Sequence, residues 1–298
     1  MQQRIDSVLN QTYTDFEIII LDDCSIDNSR EIIERYRSNE KISCIVYNVE
    51  NSGSTFKQWD KGITLAKGKY IWIAESDDWC ENTLVETLVK GIEEDGNVAF
   101  GYCQSFCVNN QEEIIFQSSY KKLEDYYSKE TYLENFLTFG NAVFNSGMAI
   151  FRKEFYYMMS EFYKTFRFVG DWIFWAELSR LGNVYINAKP LNYFRKHGND
   201  VSGKMYASGL NFIEEIKALD YFHDVLHLNS ALYFKARIKL YNRFITRRHH
   251  IDYVLKTQVQ SLLFSNLSFF QKQYFLIVSR FYNLKMGINK KISTSINF

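Results

Sequence analysis

The sequence predicts an α/β fold, a mostly parallel sheet flanked by helices over residues 1–203, followed by a helical C-terminal region over residues 204–298. Three observations carry this. Continuous apolar runs alternate along the first half with patterns of helical period, the signature of βαβ units with right-handed crossovers and parallel pairing. From Tyr206 onward the patterns are long and helical throughout. Charge divides at the same place. Residues 204–298 hold 14 Lys and Arg against 5 Asp and Glu, a net of +9, and since the whole chain has a formal net charge of +0, residues 1–203 carry −9. A split of that kind suggests two regions with different partners.

The elements follow in order. "QQRIDSVLNQ" places Ile5, Val8 and Leu9 at helical spacing. "FEIIILDD" is an unbroken apolar run ending in two aspartates, as expected of a strand buried on both faces. "SIDNSREIIERYR" opens with capping residues and continues as a helix through Ile32, Ile33 and Tyr36. "ISCIVYN" is a second strand, and "STFKQWDKGITLAKG" a helix for which Gly68 is the expected C-terminal cap. "KYIWIA" is a third strand, "ENTLVETLVKGIEED" a third helix and "VAFGYCQSF" a fourth strand. Residues 108–145 are polar and aromatic without a clear period. "SGMAIFRKEF" reads as a strand running into a helix, and "VGDWIFWAELSRLG" as a helix with Asp171 in its first turn. "PLNYFRKHGNDVSG" is a short strand and then a polar loop, and it contains Pro190, the only proline.

Composition narrows the function classes. With 46% hydrophobic and 17% aromatic residues the chain can build a large core and is too apolar for disorder. The neutral net charge offers no overall attraction for nucleic acid. Cys24, Cys44, Cys80, Cys103 and Cys107 are odd in number and lack zinc-type spacing, so reduced thiols in a cytoplasmic protein are expected. The sequence shows no signal-peptide pattern and no apolar run of the ~20 residues that span a bilayer.

The densest chemical signal is "WIAESDDW". Glu75, Asp77 and Asp78 stand together just after an apolar strand. Clustered carboxylates repel one another and resist burial unless a positive partner joins them. In sheets of this kind ligands bind beyond the carboxyl ends of the strands, which places Asp22 and Asp23 beside Glu75–Asp78 at one crevice. The residues alone leave two readings open, a binding site or helix capping by Asp78 and Glu81.

The order of pieces "ILDDCSIDNS", "NSGSTFKQWDKGI", "AKGKYIWIAESDDW", "GDWIFW" and "YFRKHGNDVS" resembles the family 2 glycosyltransferases, inverting enzymes of the GT-A fold that use nucleotide-diphosphate sugars. The resemblance covers residues 1 to about 203. It implies a GT-A-type nucleotide-sugar-binding sheet and a hexosyl- or N-acetylhexosaminyl-transferase acting with Mg²⁺ or Mn²⁺. The donor it implies is a UDP-sugar and the acceptor a glycan or polyprenyl-linked chain, as in surface polysaccharide biosynthesis. A hard divalent cation joins carboxylates to diphosphate oxygens, which would answer the question of the positive partner. By resemblance Glu75 begins the family's Asp-x-Asp motif. Asp77 is the leading metal ligand, and Asp78 is a second ligand or a contact to the sugar or ribose. Asp22 and Asp23 match the nucleobase-binding acids, or else cap the turn before the Asn28 helix. Lys57 lies where the chain passes the base and diphosphate, or is a surface lysine. Trp59 and Asp60 stand where the family more often has an Arg-Asn pair.

Asp171 is the expected catalytic base, or an N-terminal cap for its helix. The family puts an acidic residue before this Asp, and here Gly170 precedes it. In the closing segment Arg195 and Lys196 would neutralise leaving-group charge, and His197 would ligate the metal or touch the diphosphate. Family members open with an apolar strand ahead of the first helix, whereas this sequence opens at the helix, so the expectation is a sheet without that strand. A non-catalytic, glycosyltransferase-like binding subunit is the alternative that follows. An acid-pocket phosphotransfer domain is a third reading, and it gives "GDWIFW" no role. The basic, aromatic tail is either a helical cap on the sheet domain or a surface for anionic lipid at the inner face of a membrane.

Overall fold

The computed structural model describes residues 1–196, 201–265 and 267–281. The chain divides into two compact units at Asp200–Val201.

In the first unit, helix α1 (Gln2–Leu9) buries Arg4, Ile5 and Val8. Gln11, just beyond it, accepts from Val85 N at 3.0 Å and donates to Glu81 O at 2.9 Å, tying α1 to the start of a later helix. Strands β1 (Ile18–Asp22) and β2 (Ile42–Tyr47) pair in parallel through α2 (Ser29–Arg35), a βαβ unit as expected. Among the described strands these two pair only with each other. Helix α3 (Thr55–Leu65) turns Phe56, Trp59 and Ile63 inward.

The larger sheet is built from β3 (Tyr70–Trp72), β4 (Trp79–Cys80), β5 (Val98–Val108), β8 (Ala149–Arg152) and β9 (Asn183–Arg195), in the order β3-β8-β5-β9-β4. Strands β6 (Ile114–Gln117) and β7 (Glu124–Tyr127) pair with β5 and β9. The α/β class holds, and this sheet is mixed where a mostly parallel one was expected. Only β5 and β9 run parallel, and β3–β8, β5–β8, β4–β9, β5–β6 and β7–β9 are antiparallel. Strand β6, which pairs antiparallel with β5, lies in the stretch that showed no period, because it is exposed at all four positions and so carries no alternation.

Helices α4 (Leu84–Glu93) and α6 (Gly170–Leu181) complete the core. Leu84, Leu88 and Ile92 of α4 are fully buried. Trp175 and Phe174 of α6 meet Phe151 of β8 ring to ring, and Trp175 also meets Phe100 of β5. Gly91 lets α4 lie directly on β9, since a Cβ there would fall 2.1 Å from the Tyr185 ring. Helix α5 (Lys153–Tyr156) is a single turn after β8.

Two local expectations are corrected. Helix α3 stops at Leu65, three residues before Gly68, because Ala66 turns extended and its carbonyl is taken by Lys153 Nζ. The strand expected to be short is the 13-residue β9, which passes Pro190 where its register with β5 shifts at Gln104.

The second unit is helical, with α7 (Val201–Ser208), α8 (Asn211–Asp224), α9 (Ser230–Arg247), α10 (Tyr253–Phe264) and a further helix over 269–281. Asn229 and Asp252 cap α9 and α10, accepting from Ala231 N at 2.9 Å and Val254 N at 2.8 Å. Fully buried Arg237 of α9 pairs with Asp220 of α8 and donates to Leu262 O and Leu263 O of α10. All five cysteines are free thiols. Among the described residues no helix is long and apolar enough to cross a membrane.

Candidate active site

The acidic turn between β3 and β4 is anchored from below. Asp78 is 1% exposed at its side chain. Its Oδ1 accepts from Arg195 N at 2.8 Å, and its Oδ2 accepts from Asn145 Nδ2. Asn192 Nδ2 donates to Asn145 Oδ1 at 3.0 Å and to Ser105 Oγ at 2.9 Å, so a buried amide chain stands behind the carboxylate. The positive partner inside the fold is Arg4 of α1. Its Nε donates to Glu75 O at 2.9 Å, and its Nη2 lies 3.8 Å from Asp78 Oδ2. Gly147 makes room for it, because a Cβ there would sit 2.8 Å from Arg4 Nη2.

Asp77, next in the turn, is exposed, and its carbonyl accepts from Arg195 Nε at 3.1 Å. Arg195 also pairs with Glu112 at 3.1 Å and lies 4.8 Å over the Trp79 ring. Of the two expected carboxylate ligands for a metal, then, Asp77 faces solvent and Asp78 is built into the protein. Burial pushes the Glu75 carboxyl up to about 8, with the charges of Asp78, Asp77 and Asp171 adding to the effect and Arg4 opposing it. Burial and the neighbouring Asp77 raise Asp78 to about 6, against the Arg195 amide, Arg4 and Asn145.

Asp171 stands in the first turn of α6, where its Oδ1 accepts from Trp172 N at 2.8 Å and its Oδ2 from Asn141 Nδ2 at 2.9 Å. Burial pushes it up to about 7 even though the Trp172 amide, Asn141 and the Lys196 charge favour the ionised form. Its charge adds to the upward push on the Glu75 carboxyl. A single loop holds both ends of the site, with Asn141 on Asp171 and Asn145 on Asp78.

Asp22 and Asp23 form a second polar group. Buried Asp22 accepts from Arg30 Nε at 2.8 Å and from Ser25 N at 3.3 Å. Asp23 accepts from Asn48 Nδ2 at 2.6 Å, Ser52 N at 2.9 Å, Ser52 Oγ at 2.7 Å and Gln58 Nε2 at 3.0 Å. Burial alone would raise both carboxyls, but these donors outweigh it and hold both below the usual carboxylate range. Lys57 is exposed and donates to the nearby Ser52 O at 3.4 Å, whereas Lys61 donates to Asn48 Oδ1 at 2.6 Å. His197 lies outside the described residues.

Sequence reasoning missed Arg4, Asn141, Asn145, Asn192, Ser52 and Gln58. The available signals were weak. Arg4 is a cation on the apolar face of α1, and "GNAVFNSG" brackets two asparagines with glycines.

Among the described residues no group of three or more His, Cys, Asp or Glu converges to hold a metal ion. The donor set suits a hard cation held by one or two carboxylates and completed by phosphate oxygens and water. Exposed Asp77 beside Glu75, whose ionisation is opposed by its acidic neighbours, provides such oxygens.

The Glycosyl transferase family 2 description matches residues 1–158. An uncharacterized glycosyltransferase of Haemophilus influenzae is 28% identical over 207 residues, which is 68% of this chain and 63% of that protein. The putative teichuronic acid biosynthesis glycosyltransferase TuaG of Bacillus subtilis is 35% identical over 89 residues, 30% of this chain and 35% of that protein. The alignment thus spans less than two thirds of either relative. The crystal structure of S. aureus TarS 1-349 in complex with UDP-GlcNAc superposes with a TM-score of 0.60 at 19% identity, covering 82% of this chain and 69% of that one, a likeness of fold.

Proposed function

This chain belongs to glycosyl transferase family 2, and on that premise we propose that it transfers a sugar from a nucleotide diphosphate, with UDP as the favoured nucleotide, to a hydroxyl of a glycan or lipid-linked acceptor, with inversion at the anomeric carbon. The observation that carries the reading is the pairing of Asp171 with the acidic turn through one loop. A carboxyl poised near neutrality stands beside a cluster suited to a charged leaving group. The donor reading draws support from a neighbour in fold space crystallised with UDP-GlcNAc, and the acceptor reading from a relative named for teichuronic acid biosynthesis.

In this mechanism Asp171 takes the proton of the acceptor hydroxyl as that oxygen attacks the anomeric carbon. The bond from that carbon to the diphosphate oxygen breaks on the opposite face, and the nucleoside diphosphate leaves. Asn141 and the Trp172 amide aim the carboxylate. A bound Mg²⁺ or Mn²⁺ would neutralise the leaving diphosphate and would be held by Asp77 with Glu75. Asp78, with Arg4 and Asn145, keeps that turn in place. Asp22 and Asp23, held ionised, line the nucleobase end, where a carboxylate accepts from an imide N–H.

The test is calorimetry of UDP and a panel of nucleotide sugars with Mn²⁺, coupled to release of nucleoside diphosphate. Metal-dependent binding that Asp77→Ala abolishes supports the reading. Wild-type donor affinity in Asp77→Ala removes the metal role, and binding without any turnover across acceptors supports a binding subunit instead.

A further inference from the structure

We propose that the outward face of the helix over 269–281 is a docking surface for an anionic lipid bilayer. Phe270, Tyr274, Ile277 and Phe281 are 82%, 60%, 52% and 67% exposed. Their spacing of four, three and four residues puts them in one stripe along the helix. Phe269 adds a further exposed ring at its start. The opposite side is fixed inward, with Phe275 fully buried against Phe234, Tyr241 and Phe264 and Ser279 buried below it. The stripe is therefore held outward by the packing of its own unit and is not a core face left over.

Charge selects the occupant. From Tyr253 to the end, the sequence has Lys256, Lys272, Arg280, Lys285, Lys290 and Lys291 and no Asp or Glu. Arg280 is exposed and lies three residues from Ile277, at the border of the stripe. A second copy of this helix would set cations against cations with no acid to meet them, an arrangement that like-charge repulsion opposes. An anionic headgroup layer offers both the apolar boundary that aromatic side chains favour and the opposite charge. Among the described residues no helix is long and apolar enough to cross a membrane, and the proposed mode has this stripe lying along the surface. This inference stands apart from the sugar chemistry above and would hold for a chain that transferred nothing.

The experiment is flotation of the full chain with vesicles of phosphatidylcholine alone, or of phosphatidylcholine mixed with phosphatidylglycerol, at low and high salt, with sedimentation velocity in parallel. Flotation with the anionic vesicles only, with release at high salt, is expected. Phe270→Ser/Phe281→Ser should lower the bound fraction at least ~10-fold, from the apolar area withdrawn. Its circular dichroism should stay unchanged, since both side chains are exposed. Arg280→Glu should lower binding as well and leave the apolar stripe intact. Equal flotation with neutral vesicles, no flotation, or wild-type binding in the Phe270→Ser/Phe281→Ser variant overturns the proposal. So does a dimer that this variant dissolves, which would make the face a contact between copies.

Discussion

Asp171 is the residue on which the catalytic reading turns. Its carboxyl is raised to about 7 by burial, so it must lose a proton before it can take one from an acceptor. Turnover should rise with pH through about 7 and level off above it. Asp171→Asn can still accept from Trp172 N and cannot serve as a base. We expect transfer to fall by roughly 10²–10⁴-fold while Mn²⁺-dependent UDP affinity is kept. Near-normal turnover in this variant would leave Asp171 as a helix cap. Linkage gives an independent check. A carboxyl whose folded pKa lies above the ordinary 3.8 contributes stability that is full below 3.8 and is lost as pH rises through about 7. The melting temperature of Asp171→Asn should therefore gain on the parent progressively across that window, by thermal denaturation at a series of pH values.

At the scale of elements, two packing contacts place the site. Helix α6 begins at Gly170, where the family carries an acidic residue. Here a Cβ would lie 2.3 Å from Phe56 and 2.6 Å from Tyr163 O, so α3 and the chain before α6 close over that position. Gly170→Ala is expected to cost ~1–3 kcal/mol by overpacking, and Gly170→Glu more, read from denaturant midpoints. Unchanged midpoints would mean that α6 starts elsewhere. Helix α1 supplies the other contact through Arg4, 3% exposed and set against Asp78. Arg4→Met strands a buried carboxylate, with an expected loss of up to ~3–5 kcal/mol. Arg4→Met/Asp78→Asn should recover part of it, because the charge that needed a partner is gone. A double variant as unstable as the single would show that Arg4 acts through its Glu75 carbonyl bond and its packing.

For the whole molecule, ligand binding and stability are coupled. A diphosphate and a divalent cation that bind only the folded chain raise its stability by mass action, ~2.7 kcal/mol at a concentration 100 times the dissociation constant. UDP and Mn²⁺ together should raise the melting temperature, chelation should reverse the shift, and Asp77→Ala should abolish it. A shift from UDP that ignores chelation would point to Arg195 and Lys196 as the cations that meet the diphosphate. The charge of the chain divides near the same boundary, with the acidic excess in the first unit and the excess cations in the helical unit.

Local pattern was enough to read much of this protein. Strand and helix periods, the break near residue 203 and the acidic turn after "KYIWIA" were all visible, because each is written in neighbouring residues. The parallel β1–β2 unit followed from its intervening helix. The antiparallel pairings of the larger sheet did not, because which strands meet is decided by side chains far apart in the chain. The same holds for the site. Asp22, Asp23, Glu75, Asp77, Asp78 and Asp171 stood out as acids at strand or helix ends, but their partners did not. Asn145 is 67 residues from Asp78, the Arg195 amide 117 residues away, and Asn141 is 30 residues from Asp171. Periodicity reports what lies within a turn or a pleat. Whether a buried carboxyl meets an arginine, an amide or another acid depends on the folded surroundings, and those set its charge and its chemistry.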